Sequence, residues 1–233
     1  MELVWSGFVE ALRIVASLEP SVMDAAWRSL WVSSLAVAAA TVVGLPVGTV
    51  LARRHFHGHG LAVAVARAGM AVPTVFLGIV GYAMFSRRGP LGALDLLYTP
   101  WPIVAGEVLL AVPIIVSISH GSVQALDPRV AQTARTLGAG LLRRWRTYIS
   151  EARVGIMIAV LTAFARCVTE LGIAVMVGGN IKGQTRTLAT AIALETGKGE
   201  FERGLAMGLI LLTISLGVTL VITLMAREVS SHP

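Results

Sequence analysis

Four charged residues interrupt the apolar runs of this sequence: Arg67, Glu107, Arg166 and Glu170. A charge at the centre of a bilayer costs at least about 2.5–3.5 kcal/mol, so such residues are expected to face the interior of a helix bundle or one another. Arg166 and Glu170 are four positions apart, which places them on one face of a helix where they can pair. In that position an arginine either fixes helix packing through its partner or meets an anion that passes through the bundle.

Two further groups of residues have a chemical and a plain interpretation. Gly178, Gly179 and Asn180 end the apolar run that carries Arg166, and backbone amides at such a point can hold a tetrahedral oxyanion. The plain alternative is a helix stop and a turn. His55, His57 and His59 alternate in one loop and could chelate a metal, but a short polar turn at a membrane surface is the favoured interpretation. We therefore predict no metal site.

The sequence holds no motif for catalysis. It lacks a phosphate-binding GxxxxGK[ST] sequence, because Gly197, Lys198 and Gly199 have neither the upstream glycine nor the hydroxyl residue. It also lacks GxSxG and HExxH sequences. We expect no catalytic residue and no cofactor in this chain, which is predicted not to be an enzyme by itself.

Composition indicates a polytopic membrane protein. Hydrophobic residues make up 55% of the 233 residues and charged residues 14%, and the mean hydropathy is +0.78. The net charge of +6 does not indicate nucleic acid, because the arginines flank apolar spans rather than forming a soluble basic face. Cys167 is the only cysteine, so no disulfide framework is expected. Acidic Glu2 and Glu10 are not typical of a signal peptide, so the N-terminus is expected to be retained.

Hydropathy predicts five transmembrane helices. A run of about 20 apolar residues is long enough to cross a bilayer. Residues 1–28 are predicted to be an N-terminal interfacial helix with its lead-in, and residues 227–233 a short tail. The predicted spans are residues 29–52, 61–85, 101–119, 154–177 and 204–226.

A polar stretch between the third and fourth spans carries six arginines. Asp127 and Pro128 are an N-cap residue and a proline at the first helical position, which is a typical helix start. That helix is predicted to run to about Leu137 and to end at Gly138, because glycine is unfavourable inside helices and adopts turn conformations easily. A second helix is predicted from about Leu141. The stretch is therefore two short helices beneath the membrane, joined by a glycine turn.

An odd number of spans places the two termini on opposite sides. If the arginine-rich stretch is cytoplasmic, the inside segments hold nine Lys and Arg residues and the outside segments hold eight. The positive-inside count therefore does not decide the orientation.

The sequence QTARTLGA, residues 132–139, resembles the cytoplasmic loop that contacts the ATPase in permeases of ABC importers. In that family the loop reads roughly Glu-Ala-Ala, three residues and glycine; Gln132, Thr133, Ala134 and Gly138 keep the spacing, with glutamine and threonine as substitutions. The resemblance extends over nearly the whole chain. It implies a coupling loop over residues 120–153 with the ATPase-coupling residues Gln132, Thr133, Ala134, Arg135, Leu137, Gly138 and Ala139.

Within that family the likeness is to the tungstate and molybdate permeases. The segments that carry it are RRGPLGALDLLYTP, TYISEARVGI and GGNIKGQTRTLATAIALETGKGEF. The resemblance implies an all-α membrane protein with the molybdate-permease-like ABC importer fold over residues 29–226. It also implies an oxyanion substrate, tungstate first and molybdate or sulfate as alternatives. For such an anion, the charges and amides noted above predict a substrate path that includes Arg166, Glu170, Gly178, Gly179 and Asn180.

The same resemblance implies the assembly. The expected complex is a homodimer in the cell (inner) membrane with two copies of a cytoplasmic ABC ATPase, which carries the ATP and Mg, and an extracytoplasmic substrate-binding protein. The N-terminus is expected outside and the C-terminus in the cytoplasm. A secondary transporter driven by an ion gradient is the alternative from another class, although it predicts an inverted repeat that the sequence does not show.

Overall fold

A computed structural model describes residues 2–17 and 19–230, and that part is mainly α-helical, with no strand among the described residues. The all-α prediction is confirmed. A short 3-10 turn lies at Gly92–Leu94, and loops and turns join the α-helices. The helices are α1 (Glu2–Ser17), α2 (Pro20–Arg53), α3 (His59–Gly69), α4 (Thr74–Phe85), α5 (Pro100–Gln124), α6 (Pro128–Thr136), α7 (Leu141–Glu151), α8 (Arg153–Val168), α9 (Gly172–Gly178), α10 (Leu188–Gly197) and α11 (Phe201–Ser230).

Three described helices, α2, α5 and α11, are long and apolar enough to cross a membrane. Two bent pairs raise the number of candidate spans to at most five: α3 with α4 at 95°, and α7 with α8 at 74°. The range 61–85 is therefore not one continuous helix as predicted. The range 154–177 is also divided, because α8 ends at Val168 and α9 begins at Gly172.

Helices α2 and α5 form the centre of the bundle. Gly44 and Gly48 of α2 are spaced as GxxxG and face α5, where a Cβ would meet the side chain of Ile115 and the carbonyl oxygen of Val116. Small residues at this spacing allow membrane helices to approach closely and pack by van der Waals contact. Pro46 lies between these glycines without interrupting α2.

Three buried clusters hold the helices together. The largest joins α2, α5, α8 and α9, with Val32, Ile103 and Ile173 almost fully buried. A second joins α1 and the start of α2 to α10 and α11. A third lies under α6 and α7 and includes Tyr148 and Ala152. Helices α1, α6, α7, α9 and α10 are thus fixed to the long helices.

The N-terminal region forms a helix, α1, that packs along α11. A Cβ at Gly7 would overlap the side chain of Leu205, and Ile14 is buried in the second cluster. Helix α2 begins at Pro20, nine residues before the predicted start of the first span at residue 29. Leu18 and residues 231–233 lie outside the described residues, so the predicted tail is described only to Ser230.

Candidate functional site

Helices α6 and α7 form a hairpin, called here the coupling hairpin (residues 127–152). Asp127 caps the first helix, because its Oδ1 accepts a hydrogen bond of 2.7 Å from the amide of Arg129. Gly138 ends it with a φ of +70°, and the amide of Ala139 donates to the carbonyl oxygen of Ala134 at 2.9 Å. This pattern is a glycine C-cap, so both helix boundaries predicted from the sequence are confirmed within one or two residues.

The residues predicted to couple to an ATPase lie mostly on the outer surface of this hairpin. Leu137 is 78% exposed, and Gln132 and Thr133 are exposed as well. Ala134 is buried and belongs to the base of the hairpin. A groove of about 460 Å³ runs between α6 and α7 and is lined by Thr133, Leu137, Arg143 and other residues of the two helices. The side chain of Arg135 lies outside the described residues.

The coupling hairpin is attached to the long helices on its inner side. Tyr148 is 7% exposed and packs with Val123 at the end of α5 and Ile156 of α8. The guanidinium of Arg53, in the last turn of α2, lies 4.7 Å from the centre of the Tyr148 ring. Ala152 is buried and is the only residue between α7 and α8. A displacement of the hairpin must therefore move α2, α5 or α8.

Arg166 and Glu170 form the predicted ion pair, with 2.8 Å between Nη1 and Oε2. The Glu170 side chain is 1% exposed, whereas that of Arg166 is 42% exposed. Glu170 also accepts a hydrogen bond of 3.2 Å from the amide of Ile173 at the start of α9. The carboxylate is thus held by its helix neighbours, and the guanidinium keeps a free face.

A groove of about 590 Å³ opens beside this ion pair. It is lined by Arg166, Glu170, Thr74 and Gly172, so it lies at the break between α3 and α4 and at the break between α8 and α9. A Cβ at Gly172 would lie 3.0 Å from the amide nitrogen of Val75, which shows how closely α9 and α4 approach. The first residues of two helices therefore line the groove, and helix N-termini carry partial positive charge.

The other two intramembrane charges behave differently from each other. Glu107 is 2% exposed, and its Oε2 has no hydrogen-bond partner among the described residues. Its carbonyl oxygen accepts a weak hydrogen bond from the thiol of Cys167 at 3.7 Å. Arg67 of α3 is exposed on the single chain and makes no ion pair within the part of the chain described. Of these two residues, only Glu107 faces the bundle interior as predicted.

A loop after α9, called here the distal loop (residues 179–187), lies at the opposite end of α2 from the coupling hairpin. Gly179 and Asn180 both have positive φ, 68° and 52°, and the ring of Tyr98 covers Gly179. The amide of Gly179 donates to the carbonyl oxygen of Val175 at 3.1 Å. Thr185 closes the loop by donating to the carbonyl oxygen of Gly178 at 2.5 Å. The sequence interpretation of free amides was therefore wrong for Gly179.

Arg28 of α2 holds the distal loop and was not recognised in the sequence. It is 8% exposed, forms two hydrogen bonds of 2.9 Å with the carboxylate of Asp24, and donates to the carbonyl oxygen of Gly183 at 3.0 Å. The spacing of Asp24 and Arg28 by four residues was the available signal. The contact with a loop 155 residues away was not readable from that spacing.

Four cationic side chains gather beyond the distal loop. Lys182, Arg186, Lys198 and Arg203 line a pocket of about 350 Å³ together with Glu195. Lys198 pairs with Glu195 at 3.2 Å, and Arg186 donates to the side-chain oxygen of Asn180 at 3.1 Å. This end of the molecule attracts anions or acidic side chains.

Of the alternating histidines, His55 and His59 have their ring centres 5.0 Å apart. His59 lies against the carbonyl oxygen of Leu51 at 2.7 Å through its Nε2. Within the described residues no group of three His, Cys, Asp or Glu side chains is arranged to hold a metal ion.

The sequence profile of the family described as binding-protein-dependent transport system inner membrane component matches residues 44–231. The chain belongs to this family. It is thus a permease of an ABC importer, as the resemblance of residues 132–139 indicated.

Relatives with assigned names resemble this permease over most of its length. It is 35% identical over 228 residues to the tungstate uptake system permease protein TupB of Peptoclostridium acidaminophilum, covering 98% of this chain and 100% of that one. It is 39% identical over 195 residues to a probable anion ABC transporter permease protein of Haloferax volcanii, with 82% and 84% covered. The molybdenum transport system permease protein ModB of Escherichia coli K12 is 31% identical over 196 residues, with 76% and 83% covered.

Solved structures show the same fold. The permease matches the MetNI methionine ABC transporter in an inward-facing conformation with a TM-score of 0.72 and 16% identity, over 91% of this chain and 98% of that one. It matches a bacterial alginate ABC transporter, solved with an alginate-bound periplasmic protein, with a TM-score of 0.66 and 12% identity, over 90% and 79%. The predicted ABC importer fold is confirmed.

The structure separates the residues predicted for the substrate path into two places. Arg166 and Glu170 share the groove at the helix breaks. Gly178, Gly179 and Asn180 lie at the other end of α9, about 10 Å further on by helical rise. Thr74 and Gly172 are lining residues of this permease that sequence reasoning missed, because only the approach of α4 to α9 brings them to Arg166.

Proposed function

We propose that this permease imports a tetrahedral divalent oxyanion, with tungstate as the first candidate and molybdate or sulfate as alternatives. The observation that carries the proposal is the full-length similarity to a protein named as a tungstate uptake permease. A second TupB, from Campylobacter jejuni, is 32% identical over 92% of this chain. Relatives named for molybdenum transport are similar over a smaller part of the chain.

The groove beside Arg166 is the proposed place where the anion passes. The guanidinium has a face that Glu170 does not occupy, and guanidinium groups bind oxyanions through two parallel hydrogen bonds. Glu170 reduces the net charge of the groove, so that the anion is attracted without being retained. Discontinuous membrane helices around a substrate site recur in transporters, and both breaks meet here.

The coupling hairpin is the proposed contact with a separate ATPase that carries ATP and Mg. Leu137 and the small residues around Gly138 present a compact knob on the surface. The cluster under Tyr148 connects that knob to the ends of α2 and α5. The same cluster includes Ile156 of α8, so closure of two ATPases would also shift α8, which carries Arg166.

The assembly is proposed to be a homodimer. Helix α3 has no buried residue in the single chain, and in α4 only Gly78 is buried. Apolar side chains such as Leu61, Val65 and Phe76 are more than half exposed there, and Arg67 is exposed among them. A second copy packed on this surface would cover the apolar residues and enclose the charge between the two chains.

The orientation is proposed from the two ends of α2. Arg53 contacts the coupling hairpin, and Arg28 contacts the distal loop about 37 Å away by helical rise. With the hairpin in the cytoplasm, the distal loop and its four cations face outside, where a substrate-binding protein would deliver the anion. The N-terminus is then outside and the C-terminus in the cytoplasm, and the protein is a multi-pass protein of the cell membrane.

Reconstitution tests the proposal. The permease is placed in proteoliposomes with its ATPase and binding protein, and uptake of tungstate is measured with ATP and without it. We expect tungstate uptake to require ATP. Excess unlabelled tungstate should reduce the measured uptake more strongly than excess molybdate or sulfate does. Uptake driven by an ion gradient in the absence of ATP would contradict an ABC mechanism and favour a secondary transporter. Stronger competition by molybdate or by sulfate would reassign the substrate.

A further inference from the structure

We propose that a cavity between the last turn of α2 and helix α7 binds the headgroup of an anionic phospholipid. The cavity has a volume of about 590 Å³ and is lined by Arg53, Arg54, Arg144, Trp145 and Tyr148 together with aliphatic residues. It lies apart from the groove of Arg166 and from the distal loop. The inference goes beyond the proposed function, since it does not depend on which anion is transported.

The charges of this cavity are not compensated within the described residues. Arg53, Arg54 and Arg144 contribute three positive charges, and none of the lining residues is acidic. The Nε and Nη2 of Arg53 and the Nε of Arg144 are buried without a hydrogen-bond partner in the part of the chain described. Buried guanidinium nitrogens without partners are costly, so a ligand that accepts several hydrogen bonds is expected there. A phosphate group meets that requirement.

The remaining lining favours a lipid over a soluble anion. Leu141 and Leu142 are 68% and 71% exposed at the start of α7, and Val50 of α2 is also exposed in the same cavity. Trp145 is half-buried beside them, and tryptophan prefers the level of lipid headgroups. Basic pockets near the ends of spanning helices bind anionic headgroups. Acyl chains would cover the exposed leucines while the phosphate meets the arginines.

The position along the chain supports the same occupant. Thr49, Val50 and Arg53 belong to the last turns of α2, a helix long and apolar enough to span, so the cavity lies where that span ends. Helix α7 presents different residues on its two sides. Arg144 and Tyr148 face this cavity, whereas Arg143, Thr147 and Glu151 line the groove next to α6. The side of α7 proposed for the lipid is therefore not the side that borders the coupling surface.

The test uses the permease with its ATPase in nanodiscs of phosphatidylcholine that contain phosphatidylglycerol. After extraction in mild detergent, native mass spectrometry measures which lipid stays bound. We expect selective retention of phosphatidylglycerol. The attraction of one arginine for an anionic membrane surface corresponds to roughly a fivefold change in affinity. Arg144→Gln should therefore weaken lipid retention about 5-fold. The double variant Arg53→Gln with Arg144→Gln should weaken it about 30-fold.

Arg146→Gln is the matched control, because Arg146 is on the same helix, is exposed and does not line the cavity. It should leave lipid retention unchanged. Equal losses for Arg144→Gln and Arg146→Gln would overturn the proposal, since they would indicate a general effect of charge. Arg144 makes no side-chain hydrogen bond or ion pair with other described residues, so its single substitution tests the site even if the Arg53 variant folds poorly.

Two other occupants are separated by the same samples. Binding of inorganic phosphate is measured in nanodiscs of pure phosphatidylcholine. If phosphate binds as tightly as phosphatidylglycerol does, the ligand is a soluble anion and the lipid proposal is wrong. If Arg144→Gln instead releases the ATPase while lipid retention stays the same, the arginines contact the partner protein and the proposal is wrong.

Discussion

Replacing Gly138 with alanine tests whether the turn of the coupling hairpin sets the affinity for the ATPase. Gly138 has a φ of +70°, a left-handed conformation, and a Cβ built on it meets no atom within 4 Å. The substitution therefore adds no steric overlap, and its whole cost is conformational. That cost is about 1–2 kcal/mol for a residue other than glycine in the left-handed region.

The expected consequence follows from the geometry of the turn. A residue that avoids the left-handed region would break the hydrogen bond from Ala139 to Ala134 and would rotate Leu137 away from its present direction. A cost of about 1–2 kcal/mol lowers the ratio of native to non-native turn roughly 5- to 30-fold. The affinity of the permease for its ATPase should fall by at most that factor, and uptake should fall with it. The amount of permease in the membrane should stay normal, because Gly138 is exposed and outside the buried clusters.

The assay is the dissociation constant between detergent-solubilised permease and ATPase, together with uptake in proteoliposomes. Gly140→Ala is the control: Gly140 has a φ of −64°, and its Cβ also meets nothing within 4 Å. Gly138→Asn should lie between wild type and Gly138→Ala, because asparagine tolerates the left-handed region. Equal effects of Gly138→Ala and Gly140→Ala on affinity and uptake would refute the reasoning.

Three further variants, each with its own control or contrary outcome, address the groove and the distal loop. Arg166→Gln combined with Glu170→Gln removes both charges while keeping side chains of similar shape. Uptake in proteoliposomes should drop to background although the complex still assembles. Unchanged uptake would show that the ion pair only stabilises helix packing. Arg28→Ala should lower the free energy of unfolding by about 2–3 kcal/mol, because it leaves the Asp24 carboxylate and two loop carbonyls without their donor. Thermal unfolding measures this, and Arg28→Lys should recover only part of the loss; a variant as stable as wild type would contradict the role of Arg28. Gly172→Ala should cost about 1–3 kcal/mol and slow uptake by forcing α9 away from α4. Gly208→Ala in α11, where a Cβ meets nothing, should change neither the unfolding temperature nor the uptake rate, and the reasoning fails if the two alanine variants behave alike.

The coupling hairpin was predictable because its signals are local. Asp127 and Pro128 start a helix, and Gly138 ends it, through contacts that span only a few residues. The pairing of Arg166 with Glu170 was predictable for the same reason, since helical spacing alone places the two on one face.

The breaks within the spans were not predictable from prolines alone. Pro46 and Pro113 lie inside continuous helices, whereas Pro73 immediately precedes α4 and follows a break. Whether a membrane helix tolerates a proline depends on the neighbouring helices that satisfy its freed backbone groups. The sequence does not display those neighbours.

The distal loop could not be predicted in detail because its partners are far away in the chain. Arg28 donates to the carbonyl oxygen of Gly183, and the hydroxyl of Ser29 accepts from the amide of Leu188. Both partners lie more than 150 residues later in the chain. Such contacts exist only after α2 has packed beside α10. The prediction of free amides at Gly179 was wrong because the sequence shows a glycine pair without showing which carbonyl accepts from it.

The single residue between α7 and α8 has a mechanical consequence. The amide of Ala152 donates to Tyr148 and its carbonyl oxygen accepts from Ile156, so the hydrogen bonding of both helices passes through the corner. Near this pivot, Gly155 allows α8 to cross α5 closely at Ser122. Arg166 is about 21 Å from the corner by helical rise, so a tilt of about 5° would move it by about 2 Å. A small rotation of α7 would therefore be enough to change the width of the groove beside Arg166.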